Sequence, residues 1–457
     1  MKNKITNLVI FLLIAAAVFQ TGELWLGNTY SHNFFYSLFT SARRNSGTTD
    51  DIYEIIEPEK TVVGYGNKKF NMLYSNSENN SIINLSEQII KDALINGKYS
   101  SLAELNWSEY IEGKAVILEY PFVVSAKEYI KGYAVTNDEF THNVKNLNYI
   151  VVVPSGGNGE TTSCYFIDET TSEVCVLTVN SSEQSAALYN AIQTMQYSDN
   201  KPIEYISTVQ SGLNIFGSIY VPQWNDGSYE YKLLEKTNSF EKDGATDVSV
   251  IETNANNFLG NYIAASEIND VNGIYTISSD DLVVKYYENG VLEYYNYDVD
   301  GSSAGQTLAE AYTISSEFIK KDTGITNDLY LSGAETRSDG LVFYYDYAVD
   351  NIPIVISEKT AEETGMSHAV EVVVSNKNVK RYKRITYKYS LNDEYTDEMN
   401  IDIISAWDNA IMNYTGNDTI TSINDMYIGY YDDDSDKLGI YWFTELNNKF
   451  IVGDTYK

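Results

Sequence analysis

Histidine and serine motifs that support catalysis are scarce in this sequence. The three histidines, His32, His142 and His368, lie far apart, and none has a second ligand at the spacing of a zinc motif. Hydrolysis or group transfer needs a nucleophile with a base, a metal or paired carboxylates. Among the 64 acidic residues nothing singles out such a pair, so a carboxylate hydrolase is only a weak alternative. We therefore predict no catalytic site, cofactor or metal site.

Two loops resemble ligand-binding motifs without completing them. The segment PSGGNG, residues 154–159, is rich in glycine, but Glu160 follows where a phosphate loop needs Lys-Ser or Lys-Thr. The segment NYDVDG, residues 296–301, begins like a calcium loop, yet Thr307 occupies the position of the closing bidentate carboxylate. Both segments are predicted to be turns.

The two cysteines, Cys164 and Cys175, lie in the segment CYFIDETTSEVC. We interpret this segment as two strands around a turn at Glu169-Thr170. That register places Cys164 directly across from Cys175, where a cross-strand disulfide is geometrically feasible if the pair is not hydrogen bonded. Two buried free thiols are the alternative.

The composition indicates a globular, strand-rich and strongly acidic protein. The chain of 457 residues has 43% hydrophobic residues and 40 tyrosines, and tyrosine favours half-buried strands. The formal charge is −33. Such a surface repels phosphate backbones and anionic headgroups, so we expect no nucleic-acid partner and no peripheral membrane binding through a basic patch.

The N-terminal segment is predicted to anchor the chain in a membrane. Two lysines precede the apolar run LVIFLLIAAAVF. A helix over residues 5–26 spans roughly 33 Å at about 1.5 Å per residue, enough for a bilayer core of about 30 Å. Residues 1–4 then form a cytoplasmic tail, and everything after the anchor lies outside the cell membrane. A signal peptide cleaved after Ala17 is the alternative.

Two N-terminal sets of residues are candidates for contacts with partners. In the anchor, small side chains permit the close approach of another helix, although they also fit ordinary anchor composition: Ala15, Ala16, Ala17 and Gly22. Residues 27–56 form a juxtamembrane helix and linker. The helix has an apolar face formed by Phe34, Phe35, Leu38 and Phe39, which suits a partner, the membrane surface or the protein's own domain.

The exported part is predicted to contain about three α+β domains built on antiparallel sheets. The first, residues 57–200, mixes strands and helices. The second, residues 201–299, is strand-rich, and its Asn289-Gly290 pair predicts a type I′ hairpin with Lys285 opposite Tyr294.

The third domain, residues 300–457, contains a diverged repeat. In each half an amphipathic helix is followed by a strand, a turn, an aromatic strand and a short final strand. The aromatic strands read LVFYYDYAV and LGIYWFTEL. A helix with an antiparallel meander, present twice, is an α+β arrangement.

This layout resembles the YycH family, the membrane-anchored accessory regulators of the WalK-type (YycG) sensor histidine kinase of Gram-positive bacteria. The segments that carry the resemblance are GELWLG, EPEKTVVGYGNKKFNMLYS and NGVLEYYNYDVD. The segments TLAEAYTISSEFIKKDTGI and GLVFYYDYAVDNIPIVI are similar to a C-terminal fold shared with the sister protein YycI and with PepSY-like modules. The resemblance is diffuse and extends over the whole chain.

The resemblance implies a non-enzymatic protein of the cell membrane that modulates a sensor histidine kinase, and through it cell-wall metabolism. The implied partners are the kinase and a YycI-like sister protein. Members of the family restrain or support the kinase, so the sign of regulation does not follow. The alternative is a secreted PepSY-like module that binds or inhibits a protease or a cell-wall component.

Overall fold

The computed structural model describes residues 53–74, 81–102, 105–157, 160–197, 203–211, 219–224, 227–260, 269–271, 273–302, 305–416 and 418–453. Residues 53–457 belong to one compact unit. The predicted anchor and the N-terminal contact residues, Ala15 to Gly22 and Phe34 to Phe39, lie outside the described residues. In the described ranges no helix is both long and apolar enough to cross a bilayer.

The first half of the described chain forms a nine-stranded antiparallel sheet in the order β3-β7-β6-β5-β4-β1-β2-β8-β9. Its strands are β1 (Lys60–Tyr65), β2 (Phe70–Leu73), β3 (Lys98–Leu102), β4 (Lys114–Ser125), β5 (Asn146–Val153), β6 (Thr161–Asp168), β7 (Glu173–Asn180), β8 (Glu204–Ser207) and β9 (Tyr220–Gln223). Strands β1 and β2 are antiparallel neighbours, with Thr61 opposite Leu73.

Helices accompany this sheet, and two of them are long. They are α1 (Ser81–Asn96), α2 (Trp107–Tyr110), α3 (Ala126–Tyr129), α4 (Asp138–Asn143), α5 (Glu183–Gln196) and α6 (Thr208–Ser211), with a 3-10 turn at Ile130–Tyr133. Helix α1 buries an isoleucine-rich stripe, including Ile89 and Ile90, as its helical spacing predicts. Helix α5 begins at an N-cap, Ser182, whose side chain accepts a hydrogen bond from the Ser185 backbone.

The middle of the chain contributes β10 (Tyr229–Asn238), β11 (Glu241–Lys242), β12 (Ala245–Thr246), α7 (Val248–Leu259), β13 (Asn269–Val271), β14 (Ile274–Ser279), β15 (Leu282–Tyr287) and β16 (Val291–Asn296). The remaining elements are α8 (Leu308–Ile319), β17 (Asp328–Arg337), β18 (Gly340–Val349), β19 (Ile352–Ile356), α9 (Glu358–Thr364), β20 (Val370–Ser375), β21 (Asn378–Ile385), β22 (Tyr387–Met399), α10 (Ile403–Asn413), β23 (Ile423–Asp432), β24 (Lys437–Leu438), β25 (Ile440–Leu446) and β26 (Lys449–Gly453).

Most of these strands form a twelve-stranded sheet in the order β13-β14-β15-β16-β21-β20-β18-β19-β23-β25-β26, with β17 paired to β18. Strands β22, β10 and β24 form a small separate sheet. The predicted second domain, residues 201–299, therefore does not form a sheet of its own with all its strands. Its strands β8 and β9 belong to the nine-stranded sheet of the first range, whereas β10 and β13 to β16 lie in sheets with strands of the third range. The domain boundaries stay predictions, and the mixed α+β architecture with antiparallel sheets is confirmed.

The helix and meander predicted in each half of the C-terminal range are both present. Helix α8 precedes the antiparallel meander β17-β18-β19, and α10 precedes β23-β25-β26. Strands β19 and β23 pair in parallel, with Ile354 opposite Tyr430, and join the two meanders in one sheet. Helix α10 buries Ala406 and Ala410, whereas Ile404 remains 61% exposed.

The predicted register of the Asn289-Gly290 hairpin is wrong by one residue. Lys285 lies opposite Glu293, not Tyr294, and Tyr287 lies opposite Val291. The connection has three residues because the Gly290 N–H donates to the Tyr287 carbonyl and Gly290 takes a left-handed φ of 79°. This is the geometry of a three-residue hairpin with a glycine bulge, and a two-residue type I′ turn is absent at this position.

The two ligand-like loops are turns, as predicted. Residues 154–157 connect β5 to the next strand, and the Ser155 hydroxyl donates to the Glu160 carboxylate at 2.7 Å. In the acidic loop the Asp298 N–H donates to the Asn296 side chain at 3.0 Å. Thr307, in the position of a closing ligand, is the N-cap of α8. Within the described ranges no group of three or more His, Cys, Asp or Glu side chains is arranged to hold a metal ion.

Candidate functional site

A polar cavity of about 210 Å³ lies between the nine-stranded sheet and the second meander. We call it the Lys60 cavity. Strands β1, β4 and β5 contribute Lys60, Glu119 and Tyr149, and β23 contributes Asn424 and Asp425. Cavities that contain ionisable groups with shifted pKa values are the usual candidates for functional sites.

Strand pairing fixes the position of the central cation. Lys60 and Glu119 are directly opposite in β1 and β4, and the Lys60 Nζ lies 3.6 Å from the Glu119 carboxylate. The same ammonium donates a hydrogen bond to Asp425. Since Lys60 is only 6% exposed, this ion pair is a buried link between the two large sheets.

A β-bulge brings the partner carboxylate to the cavity. The register of β23 against β25 shifts between Ile423 and Asp425, so that Asn424 is an extra residue. A bulge re-aims the side chains next to it. Both Asn424 and Asp425 consequently line the cavity.

Carboxylates outnumber cations around this lysine. Burial raises the pKa of Glu59 to about 8, and the negative charges of Glu119 and Asp425 add to this rise, while Lys60 opposes it. Burial also raises the pKa of Glu119, again opposed by Lys60. Removal from bulk water disfavours the charged form of each carboxyl group.

The lysine stays protonated in these surroundings. Burial alone lowers the pKa of Lys60, but the attraction of Asp425 and Glu119 outweighs it and raises that pKa well above its ordinary value. An opposite charge within a few ångströms favours the charged form. The ammonium is therefore a counter-ion for the carboxylates and a poor candidate for a general base.

Aromatic side chains surround the cluster. The Lys60 ammonium lies 6.0 Å from the centre of the Tyr427 ring. Trp107, from the short helix α2, packs edge-to-face on Tyr149 at 5.1 Å and donates to Glu169 at 3.3 Å. These rings limit the access of water, which strengthens the ion pairs and raises the cost of leaving one charge unpaired.

The chemistry available here is electrostatic. The cavity lining holds carboxylates, tyrosines and one lysine, and neither described histidine lies in it. His142 is exposed on α4, and His368 pairs with Asp346 at 2.8 Å. The arrangement links the two sheets through the buried ion pairs of Lys60.

The structure does not place the two cysteines opposite each other. Cys164 faces Leu177, and Cys175 faces Phe166, so the predicted register is wrong by two residues. The turn has four residues, 169–172, because the Asp168 side chain accepts from the Thr170 N–H and Ser172 takes a positive φ of 59°. Both thiols are free and buried, which is the alternative that the sequence left open.

The sequence does not predict the Lys60 cluster, because its members are distant along the chain. Lys60 and Asp425 are separated by 365 residues. One local signal exists: a lysine stands in the strand KTVVGY, which is buried on both faces. A charged residue in such a strand needs a buried partner.

The comparisons with known proteins give one informative result. No family model matches the chain, and no curated protein matches it. The crystal structure of YycH from Bacillus subtilis matches with a TM-score of 0.53 and 15% sequence identity, over 89% of this chain and 97% of that chain. The chain has a YycH-like fold.

The YycH-like fold includes parts of both large sheets, since neither sheet alone accounts for 89% of the chain. An uncharacterized protein from Eubacterium rectale ATCC 33656 also matches, with a TM-score of 0.34 and 13% identity, over 55% of this chain and 92% of that chain. The resemblance of the C-terminal range to YycI and PepSY-like modules stays a prediction.

Proposed function

We propose that this chain is a non-enzymatic regulator, anchored in the cell membrane, of a two-component sensor histidine kinase that controls cell-wall metabolism. The observation that carries the proposal is the YycH-like fold, which extends over 89% of the chain. The segments from GELWLG to the C-terminal meanders, which resemble the same family, support it independently.

The proposed partners are the kinase and a YycI-like sister protein. The anchor, residues 5–26, would contact their transmembrane helices through Ala15, Ala16, Ala17 and Gly22. The exterior part would lie beside them, with the juxtamembrane face of Phe34, Phe35, Leu38 and Phe39 next to the membrane. The N-terminus is cytoplasmic in this arrangement, and the bulk of the chain is extracellular.

Such a regulator needs no chemistry of its own. A kinase dimer with two conformations changes its populations when a bound protein contacts one of them better than the other. A shift from 1:99 to 99:1 requires about 5.5 kcal/mol of differential binding. A few side-chain contacts in the membrane and outside it supply free energy of this size.

Co-purification from membranes tests the proposal. The full-length chain and a variant without residues 1–26 are expressed in the native host, and the proteins retained with each are identified by mass spectrometry. We expect the full-length chain to retain a sensor histidine kinase and the shortened chain to lose it. Equal recovery with both, together with a mature chain that begins after Ala17, would instead favour the secreted PepSY-like binding module.

A further inference from the structure

A second cleft lies against strands β18, β20 and β21 of the twelve-stranded sheet and shares no lining residue with the Lys60 cavity. It has a volume of about 610 Å³, within the range of small-molecule sites. The residues that matter here are Arg337, Tyr344, Glu371, Arg381 and Lys383. We call it the Arg381 cleft. The proposed function does not involve this cleft.

Strand pairing brings these side chains to one face. Tyr344, Glu371 and Lys383 are successive partners across β18, β20 and β21. Arg381 is two residues from Lys383 in β21, and side chains two apart in a strand share a face. The loop after α9, from Gly365 to His368, forms the wall, and the His368 ring packs on Tyr344 at 4.5 Å.

The carboxylates of the cleft are already occupied. Glu335 accepts from both Arg337 and the Tyr344 hydroxyl. Glu371 accepts from Arg381 at 2.6 Å and from Arg337 at 3.5 Å. Three permanent cations, Arg337, Arg381 and Lys383, thus share two carboxylates in the cleft.

Two of these cations retain unused hydrogen-bonding capacity. The carboxylate nearest to Lys383 in the described ranges is Glu293, at 3.9 Å, too far for a hydrogen bond. Glu293 already accepts from the Tyr287 hydroxyl at 2.9 Å. Arg381 has five N–H groups. Within the described chain, the side chain that accepts a hydrogen bond from them is Glu371. The Arg381 Nε is buried without a hydrogen-bond partner.

We propose that the Arg381 cleft binds a compact anionic ligand through a carboxylate or phosphate group held by Arg381 and Lys383. Guanidinium and ammonium groups form the strongest hydrogen bonds with these two anions. The ligand has to be compact because the net charge of −33 repels an extended polyanion. A single anionic group interacts mainly with charges within about 8 Å at physiological ionic strength. The cleft lining itself carries the three cations Arg337, Arg381 and Lys383 and the two carboxylates Glu335 and Glu371.

Equilibrium dialysis of the full-length chain tests the proposal, with labelled inorganic phosphate and labelled succinate as separate probes. We expect saturable binding of at least one probe, and the probe that binds identifies the anionic group. Lys383→Gln and Arg381→Gln should each weaken binding about tenfold, as expected for the loss of one charge-assisted hydrogen bond.

Lys285→Gln is the matched control. Lys285 lies on the same sheet face, opposite Glu293 in β15 and outside the cleft, so its replacement should leave binding unchanged. Thermal unfolding of each variant shows whether the fold is intact, and Lys383→Gln, at a partly exposed side chain, keeps the test valid if Arg381→Gln unfolds. The proposal is overturned if neither probe binds saturably, or if Lys285→Gln weakens binding as much as Lys383→Gln.

Discussion

At the scale of single residues, Lys60 has the largest predicted effect on stability. Its ammonium is the buried counter-ion of Asp425 and Glu119. Lys60→Met leaves both carboxylates without their counter-ion, and breaking a buried ion pair costs about 3 kcal/mol or more. We expect a clear fall in the free energy of unfolding, measured by urea denaturation.

The matched control is Lys232→Met. Lys232 pairs with Asp393 at 2.7 Å, but the two side chains are 46% and 86% exposed, and exposed ion pairs contribute little. Its urea midpoint should not change measurably. The double variant Lys60→Met with Asp425→Leu should recover part of the lost stability, because apolar groups often replace a buried ion pair without loss. A Lys60→Met midpoint equal to that of Lys232→Met would contradict the buried link.

Glu59 gives the protein a predicted pH dependence. Its pKa in the folded chain is about 8, above the value of about 4.3 for a glutamate in an unfolded chain. The folded state then holds this proton more tightly, so the stabilisation is complete below about pH 4.5 and is lost as the pH rises through about 8. We expect the melting temperature to fall across this window.

Glu59→Gln should flatten that fall in melting temperature, since glutamine cannot release the proton. A smaller fall in melting temperature should remain in this variant, because burial also raises the pKa of Glu87 to about 7. Glu252→Gln, at an exposed position on α7, serves as the control and should follow the unmodified protein. Identical slopes for Glu59→Gln and the unmodified protein would show that Glu59 does not titrate as stated.

At the scale of elements, the hairpin turns separate what the sequence predicts from what it leaves open. The strands on both sides of Asn289-Gly290 and of Glu169-Thr170 are where the alternation of apolar residues predicts them. The pairing differs because three- and four-residue connections with positive φ replace the expected two-residue turns. A slip of one residue changes every cross-strand partner.

Gly290 provides a test of the observed turn. Its φ is 79°, and a Cβ there would lie 2.9 Å from the Tyr387 ring. Gly290→Ala therefore combines a backbone cost of about 1–2 kcal/mol with a steric contact. Gly244 has a φ of 77° and open space around it, so Gly244→Ala has the backbone cost without a steric contact. Urea denaturation should show a larger loss for Gly290→Ala than for Gly244→Ala, and equal losses would argue against the contact.

The β6–β7 register predicts the state of the cysteines. Cys164 and Cys175 are diagonal neighbours on one face, farther apart than a disulfide allows. Burial also raises the pKa of the Cys175 thiol to about 12 and that of the Cys164 thiol even further. Titration with a thiol reagent, without reductant, should detect no thiol in the folded protein and two in urea. No thiol in urea would reveal a disulfide and contradict the register.

At the scale of the whole molecule, local patterns predicted more than long-range contacts. The helices α8 and α10 and the meanders after them follow from amphipathic periodicity and from runs of aromatic residues. The Lys60 cavity does not, because Lys60, Glu119 and Asp425 belong to strands of two sheets. The Arg381 cleft does not follow from local patterns for the same reason: its row of charges forms only when β18, β20 and β21 are paired.

The two sheets are also joined by apolar packing. One buried cluster includes Val63 and Val116 from the first sheet together with Phe343 and Val372 from the second. This shared core joins the two sheets within one compact unit. That property suits a regulator whose partners lie both in the membrane and outside it.

We propose that the chain acts on a sensor kinase through its membrane segment and its exterior part together. The most direct measurement is the autophosphorylation rate of the kinase in membrane vesicles that contain either the native chain or a chain with residues 5–26 replaced by an unrelated transmembrane helix. We predict that the native chain changes the rate and that the exchanged chain, with its exterior part still folded, does not. An undiminished effect from the exchanged chain, or from a soluble form that begins after Ala17, would contradict the account.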